Sequence, residues 1–262
     1  MKKLFCRFIC ACLFTGCGVV PLAAHSQDAD SVSEQIKAAF RVKEFDRVIQ
    51  LTEGREGQGE WKEWRATAFQ ERGIARFFEG DMKHSIADFN SYLNLYPERE
   101  PWHWQRGLAY YYAKQYQKGI AQFERHQVVN SNDVENAVWH FLCVVRAEKG
   151  QVEEARGKLI PIEGDSRVPM KEIYELFAGR GTAGQVLKAA RGGWNGSGKV
   201  PERIRNQLCY AHLYLALYFE ALGDEKKMKE HILLASGKFR MNHYMGKVAQ
   251  LHARMRGLKV GE

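Results

Sequence analysis

Three residue pairs recur at one interval of 34 positions: Arg72 and Arg106, Gly73 and Gly107, Phe89 and Phe123. That length suits one helical hairpin and is too short for a unit with a core of its own. Each repeat must therefore bury its apolar face against its neighbours. A small residue at the middle of the first helix lets the two axes approach, and an aromatic at a fixed offset fills the gap. Proline agrees with a helical chain. Only six are present, and Pro97, Pro101, Pro161, Pro169 and Pro201 all fall between apolar-periodic segments, where a missing N–H costs nothing.

Within this period, residues 66–99 read as one unit. Phe69 takes a large-aromatic place, Gly73 the helix crossing, Gly80-Asp81 the turn, and Pro97 the end. The second unit, residues 100–133, keeps Gly107, Tyr110, Tyr116 and Phe123 and sets Lys114 at the turn. A third begins near Asn136, with Trp139, Cys143 and a turn at Gly150. A fourth begins near Cys209, with Ala216, Phe219 and the turn Gly223-Asp224. This pattern resembles the tetratricopeptide-repeat family. It departs from it at Arg72, Arg76, Arg106 and Arg146, which stand where apolar residues are usual. The resemblance implies an all-α fold, a right-handed α-solenoid of helix–turn–helix repeats closed by a C-terminal capping helix. The expected organisation is an N-terminal helix pair in 27–65, with its turn near Lys43-Glu44-Phe45, and three repeat units in 66–168. An irregular helical insert with a glycine-rich loop fills 169–201, and the last unit and cap fill 202–262.

The first 26 residues read as an address. Lys2, Lys3 and Arg7 precede a mostly apolar run from Leu4 to Val20, followed by small residues, as in a secretory signal peptide. Two processing readings stand. Ala24-His25-Ser26 fits a small-x-small cleavage site. Phe14-Thr15-Gly16-Cys17 resembles a bacterial lipobox, which would make Cys17 a lipid anchor in the membrane. Either places the protein outside the cytoplasm, in the periplasm or on the envelope membrane, and disfavours nucleic acid as a partner. Removing the leader lowers the formal net charge from +8 to +5 and leaves Cys143 and Cys209 as the thiols of the folded part. An oxidising compartment allows a bridge between them. The plainer reading is two buried apolar residues on different helices.

Two strings imitate phosphate-binding loops. Gly179-Arg180-Gly181-Thr182-Ala183-Gly184 matches G-x-G-x-x-G but follows a segment of helical character, so a helix–helix turn is expected. Gly193 to Lys199 approaches a P-loop, but Val200 stands where Ser or Thr must hold magnesium. The nine histidines include no i,i+3 or i,i+4 pair, and no G-x-S-x-G or H-E-x-x-H occurs. No catalytic residue, metal site or cofactor is expected.

The tetratricopeptide resemblance implies a groove for a protein or peptide ligand on the inner faces of the first helices. By repeat register these positions are Gln70, Ile74, Phe77 and Phe78, then Trp104, Leu108, Tyr111 and Tyr112, then His140, Val144 and Glu148. Tyr and Trp there suit partner anchoring, and shared core between helices is the competing use. Phe77 and Phe78 lean to core. Between His231 and Gly261 there is no acidic residue, against Lys238, Arg240, Lys247, Arg254, Arg256 and Lys259. A terminal stripe of Tyr244, Val248, Leu251 and Met255 is expected to cover the last repeat, with the bases on a solvated outer face or against an anionic polymer or lipid. The implied role is a non-catalytic scaffold or adaptor of the bacterial envelope. An enzyme using residues 179–201 and a polymer-binding module are the alternatives.

Overall fold

A computed structural model describes residues 22–55, 57, 59–149 and 151–259. The signal segment as far as residue 21, with Cys17, and the turn at Gly150 lie outside the described residues. Among these residues helices are the only regular secondary structure, and there are no strands. Helix α1 (Leu22–Arg41) already spans Ala24-His25-Ser26 and pairs with α2 (Phe45–Leu51). The next pairs are α3 (Glu60–Glu79) with α4 (Met82–Leu95), α5 (Trp104–Tyr112) with α6 (Tyr116–Val129), and α7 (Val134–Ala147) with the short α8 (Val152–Gly157). Then come α9 (Met170–Phe177) with α10 (Ala183–Arg191), α11 (Glu202–Ala221) with α12 (Glu225–Ser236), and a final α13 (Tyr244–Met255). No described helix is long and apolar enough to cross a membrane.

Each hairpin turns on one left-handed residue: Lys43, Gly80, Lys114, Lys149, Gly179 and Gly223. At five of the six, the following N–H reaches back across the helix end, as from Asp81 to Arg76 O (2.9 Å), Gln115 to Tyr110 O (2.9 Å) and Asp224 to Phe219 O (2.8 Å). This closes otherwise orphaned carbonyls. Where glycine supplies the turn in Gly80-Asp81 and Gly223-Asp224, the aspartate then caps the next helix, accepting from His84 N and Lys227 N. Lysine at three of the turns adopts a conformation that costs a side chain about 1 kcal/mol. The turn of the third repeat unit has its left-handed residue at Lys149, one residue before the glycine that the sequence pointed to. The G-x-G-x-x-G string is a helix–helix turn, as expected. Gly179 ends α9, and Thr182 and Gln185 form a capping box on α10.

The close crossings fall where the period placed them. A Cβ on Gly73 would lie 2.7 Å from Phe89 Cε1, and one on Gly107 2.7 Å from Phe123 Cε1. Both rings are fully buried. The arginines that depart from the family pattern are cross-links. Arg72 clamps Asp88 through Nε (2.9 Å) and Nη2 (2.6 Å), and Arg76 adds a third bond of 2.8 Å. One repeat later Arg106 holds Gln122 Oε1 from Nε (2.9 Å) and Nη2 (2.7 Å), and also Asn90 of the preceding unit (2.9 Å). Asp88 and Gln122 are themselves 34 apart, each one residue before the crossing aromatic. The buried charge of Arg106 is tolerated because each of its three guanidinium nitrogens donates to an acceptor.

The terminal helix does more than cover the last repeat. It packs on α12 and α11 and reaches across to α3 at the other end of the chain. Tyr244 sits in an aromatic nest, with ring centroids 4.8 Å from both Phe78 and Trp104, and is stacked on Phe77 at 6.2 Å. Arg254 donates to Phe78 O (2.5 Å). The basic face is largely solvated, as expected: Lys238, Arg240, Lys247, Arg254 and Lys259 are exposed, and Lys247 lies over the Phe78 ring (5.7 Å). Arg256 alone is half-buried, bonded to Glu220 of α11.

Candidate functional site

The inner-face register is only partly open. Leu108, Tyr111, Tyr112, His140 and Val144 are buried, which is the competing use as shared core; His140 and Val144 are corrected from groove contacts, while Leu108, Tyr111 and Tyr112 still border clefts. Tyr112 is covered by α13, its hydroxyl 3.1 Å from His252 Nδ1. The Tyr111 hydroxyl donates to Glu220 Oε2 of α11 (3.3 Å). His140 turns between helices towards Glu124 of α6 (3.5 Å) rather than inwards, and Val144 lies within the main core. Glu148 is half-buried and pairs with Lys158 (3.4 Å) at the α7–α8 end. Gln70 and Trp104 keep partial exposure. Gln70 Oε1 accepts from His103 Nε2 (2.7 Å), and Trp104 flanks Tyr244.

A buried ionic knot ties α5, α7, α11 and α13 together around Glu220. Arg146 (3.2 Å) and Arg256 pair with its carboxylate, and His252 Nε2 lies 3.5 Å away. Burial works to raise the Glu220 carboxyl, but the surrounding cationic groups hold it below its ordinary value. Burial lowers His252 to about 4, so its ring is neutral and Nδ1 accepts from the Tyr112 hydroxyl. This knot fastens the terminal helix; Arg146, Glu220 and Arg256 also line a cleft of about 520 Å³ with Tyr111, Tyr112 and Tyr116, and His252 Nε2 has no hydrogen-bond partner.

Beside it, the register retains an open cleft of about 240 Å³, where α5, α6, α7 and α13 meet the connection before α9. Trp104 and Leu108 of α5, Trp139 of α7 and Met245 of α13 supply apolar wall. The floor is ionic. Arg167 donates from Nη1 to Glu135 Oε2 (2.9 Å), from Nη2 to Asp133 Oδ1 (2.6 Å), and from Nε to Asp165 Oδ1 (2.9 Å). The Tyr214 hydroxyl holds the other Glu135 oxygen at 2.7 Å. Burial pushes the Glu135 carboxyl up, against Arg167 and Tyr214. Asp165 is held low, burial being outweighed by its bonds from Arg167. Two buried polar atoms of the lining, Asn136 Oδ1 and Trp139 Nε1, have no partner. Sequence reasoning missed this group. Its signals, Asp133-x-Glu135 and Asp165-x-Arg167, are two short charged strings that only the fold brings together.

Another cleft, about 390 Å³, borders the glycine-rich loop through Trp194, Asn195 and Gly196. His212 Nδ1 and His231 Nδ1 face each other there at 2.8 Å, a spacing that requires one shared proton. Burial and the neighbouring His231 lower His212 to about 3. No activated nucleophile accompanies the pair. Cys209 donates to Ala235 O (3.5 Å), and burial pushes its thiol up to about 12. Cys143 is likewise buried with its thiol raised, and the two are free rather than bridged. Among the described residues no cluster of three or more His, Cys, Asp or Glu side chains has a metal-holding arrangement. Compared with known proteins, the chain matches no family model and no curated protein.

Proposed function

We propose that this chain is a tetratricopeptide-like α-solenoid acting as a non-catalytic scaffold or adaptor that binds a protein or peptide partner along its inner face. The observation that carries this reading is the seat of α13. The side formed by α3, α5 and α11 already accepts a helix, with Tyr244 in a nest of Phe77, Phe78 and Trp104. A face that buries a helix by aromatic anchors uses the same physics as helix-in-groove recognition. The recurring left-handed turns and the glycine–phenylalanine crossings support the solenoid. The cleft lined by Trp104 and Trp139 opens on this face beside Met245 of α13 and is where a partner enters.

The proposal includes export to the bacterial envelope, on the strength of Lys2, Lys3, Arg7 and the apolar run after them, with Cys17 as a membrane anchor. Lipid labelling of the wild type against Cys17→Ala tests that part, and equal labelling defeats it. For the scaffold, affinity capture from the envelope with wild type and Trp104→Ala is the test. The partner is expected to be lost with the variant while helicity stays near wild type. Undiminished capture would remove Trp104 from the interface.

The His212–His231 pair is the one observation favouring an enzymatic reading of the region near residues 179–201. It offers proton sharing without a nucleophile or a metal cluster beside it, so the scaffold reading is preferred.

A further inference from the structure

The ionic floor of the open cleft is unbalanced. Asp133, Glu135 and Asp165 surround one guanidinium, that of Arg167. Asp165 pairs with Arg167 from outside the lining, so the cleft itself presents two carboxyl groups, Asp133 and Glu135, beside one guanidinium already shared among three acidic partners, an acidic excess. No lysine and no second arginine is among the residues lining the cleft, and His126 spends its Nδ1–H on Pro101 O (3.0 Å). Two further features point to a ligand. Asn136 is buried, and its amide nitrogen donates to Phe123 O (3.0 Å), which fixes its orientation and leaves Oδ1 as an unmet acceptor. Trp139 is buried with an unmet donor at Nε1. The walls are two indoles, the best aromatic surface for a cation. The cleft is smaller than the ~300 Å³ at which small-molecule pockets begin, so its size selects a single side chain over a cofactor.

We propose that this cleft receives the lysine or arginine side chain of a protein partner. The cationic head meets Asp133, Glu135 and Asn136 Oδ1, its stem lies against Trp104 and Trp139, and a partner carbonyl takes the Trp139 Nε1–H. This rests on the scaffold reading and deepens it by naming the chemistry of the anchor. The occupant is a basic segment of a protein because the cleft presents both acceptors for a cation and one donor for a backbone carbonyl. A free amine satisfies only the first.

The test is titration of the chain with short capped peptides that differ at one central residue, read by tryptophan fluorescence, since Trp104 and Trp139 are both reporters. The probes are acetyl-Gly-Arg-Gly-amide, its lysine analogue, and the analogues with citrulline, norleucine and glutamate. The arginine and lysine peptides are expected to bind at least about tenfold more tightly than citrulline or norleucine, and to weaken with added salt. Asp133→Asn keeps a good helix cap and is expected to abolish that preference. Equal binding of citrulline or norleucine, a preference for glutamate, or no binding of any probe to the wild type overturns the inference. The wild-type comparison decides even where a variant fails to fold. If Trp104→Ala still loses a captured partner while the arginine preference is absent, the scaffold reading stands and this inference alone falls.

Discussion

Tyr244 provides a two-sided test of how the terminal helix is held. Its ring contacts Phe77, Phe78 and Trp104, while its hydroxyl is buried with no hydrogen-bond partner. Truncation to alanine removes an aromatic anchor from a packed nest, a class of change that costs ~3–5 kcal/mol. The residue keeps some exposure, so about 3 kcal/mol is expected, or roughly 6–12 °C in Tm for a chain of this size. Tyr244→Phe keeps the ring and deletes only the orphaned hydroxyl. Leaving such a group unsatisfied costs ~1–3 kcal/mol, so its removal is expected to be neutral or to stabilise by about 1 kcal/mol. Urea unfolding measures both, and hydrogen exchange at residues 244–255 shows whether the alanine variant loosens α13 ahead of the rest. Refutation would be a loss above about 1 kcal/mol for the phenylalanine variant, or an alanine variant within about 0.5 kcal/mol of wild type.

Three other outcomes follow from the structure. Burial holds His252 and His103 at about 4, below the ordinary 6.5, so the unfolded chain takes up protons first as the pH falls. Stability is therefore intact above about pH 6.5 and declines towards pH 4, each histidine adding a slope approaching ~1.4 kcal/mol per pH unit. Urea midpoints that stay flat from pH 7 to 4.5 contradict this. Asp88→Asn weakens the acceptor of Arg72 and Arg76 in a buried site and is expected to cost about 3 kcal/mol in urea unfolding. A loss under about 0.5 kcal/mol would make the clamp ornamental. Lys114→Gly relieves a left-handed lysine and should raise the urea midpoint, with a gain of up to about 1 kcal/mol. A lowered midpoint would mean that the lysine side chain contributes more than its backbone costs.

The hairpin architecture was legible because Gly73, Gly107, Phe89 and Phe123 mark a steric requirement, two helices touching, that only a few residue types meet. The turn at Lys114 was legible by register alone, since lysine carries no turn signal. The pair α9–α10 was read as an irregular insert because both helices are short and its turn glycine, Gly179, lies in a string that imitates a nucleotide loop. Arg72 and Arg106 looked like departures because their acceptors, Asp88 and Gln122, lie sixteen residues away on the partner helix. The spacing of Tyr244, Val248, Leu251 and Met255 establishes an apolar stripe but not what it covers. Placement on α3 as well as α12 depends on how the whole stack curves, which no local pattern encodes. For the same reason five of the expected groove residues are buried. The open cleft was invisible because its charges come from two loops about thirty residues apart, at Asp133 and Asp165.

The central claim is that a partner docks beside α13 on the inner face. A photo-crosslinking amino acid placed at Trp104, at Gln70 and, as an outer-face control, at the exposed Arg125 tests it in intact cells. The account predicts a discrete protein adduct from positions 104 and 70 and none from 125. Adducts of equal yield from all three positions, or from 125 alone, would contradict it.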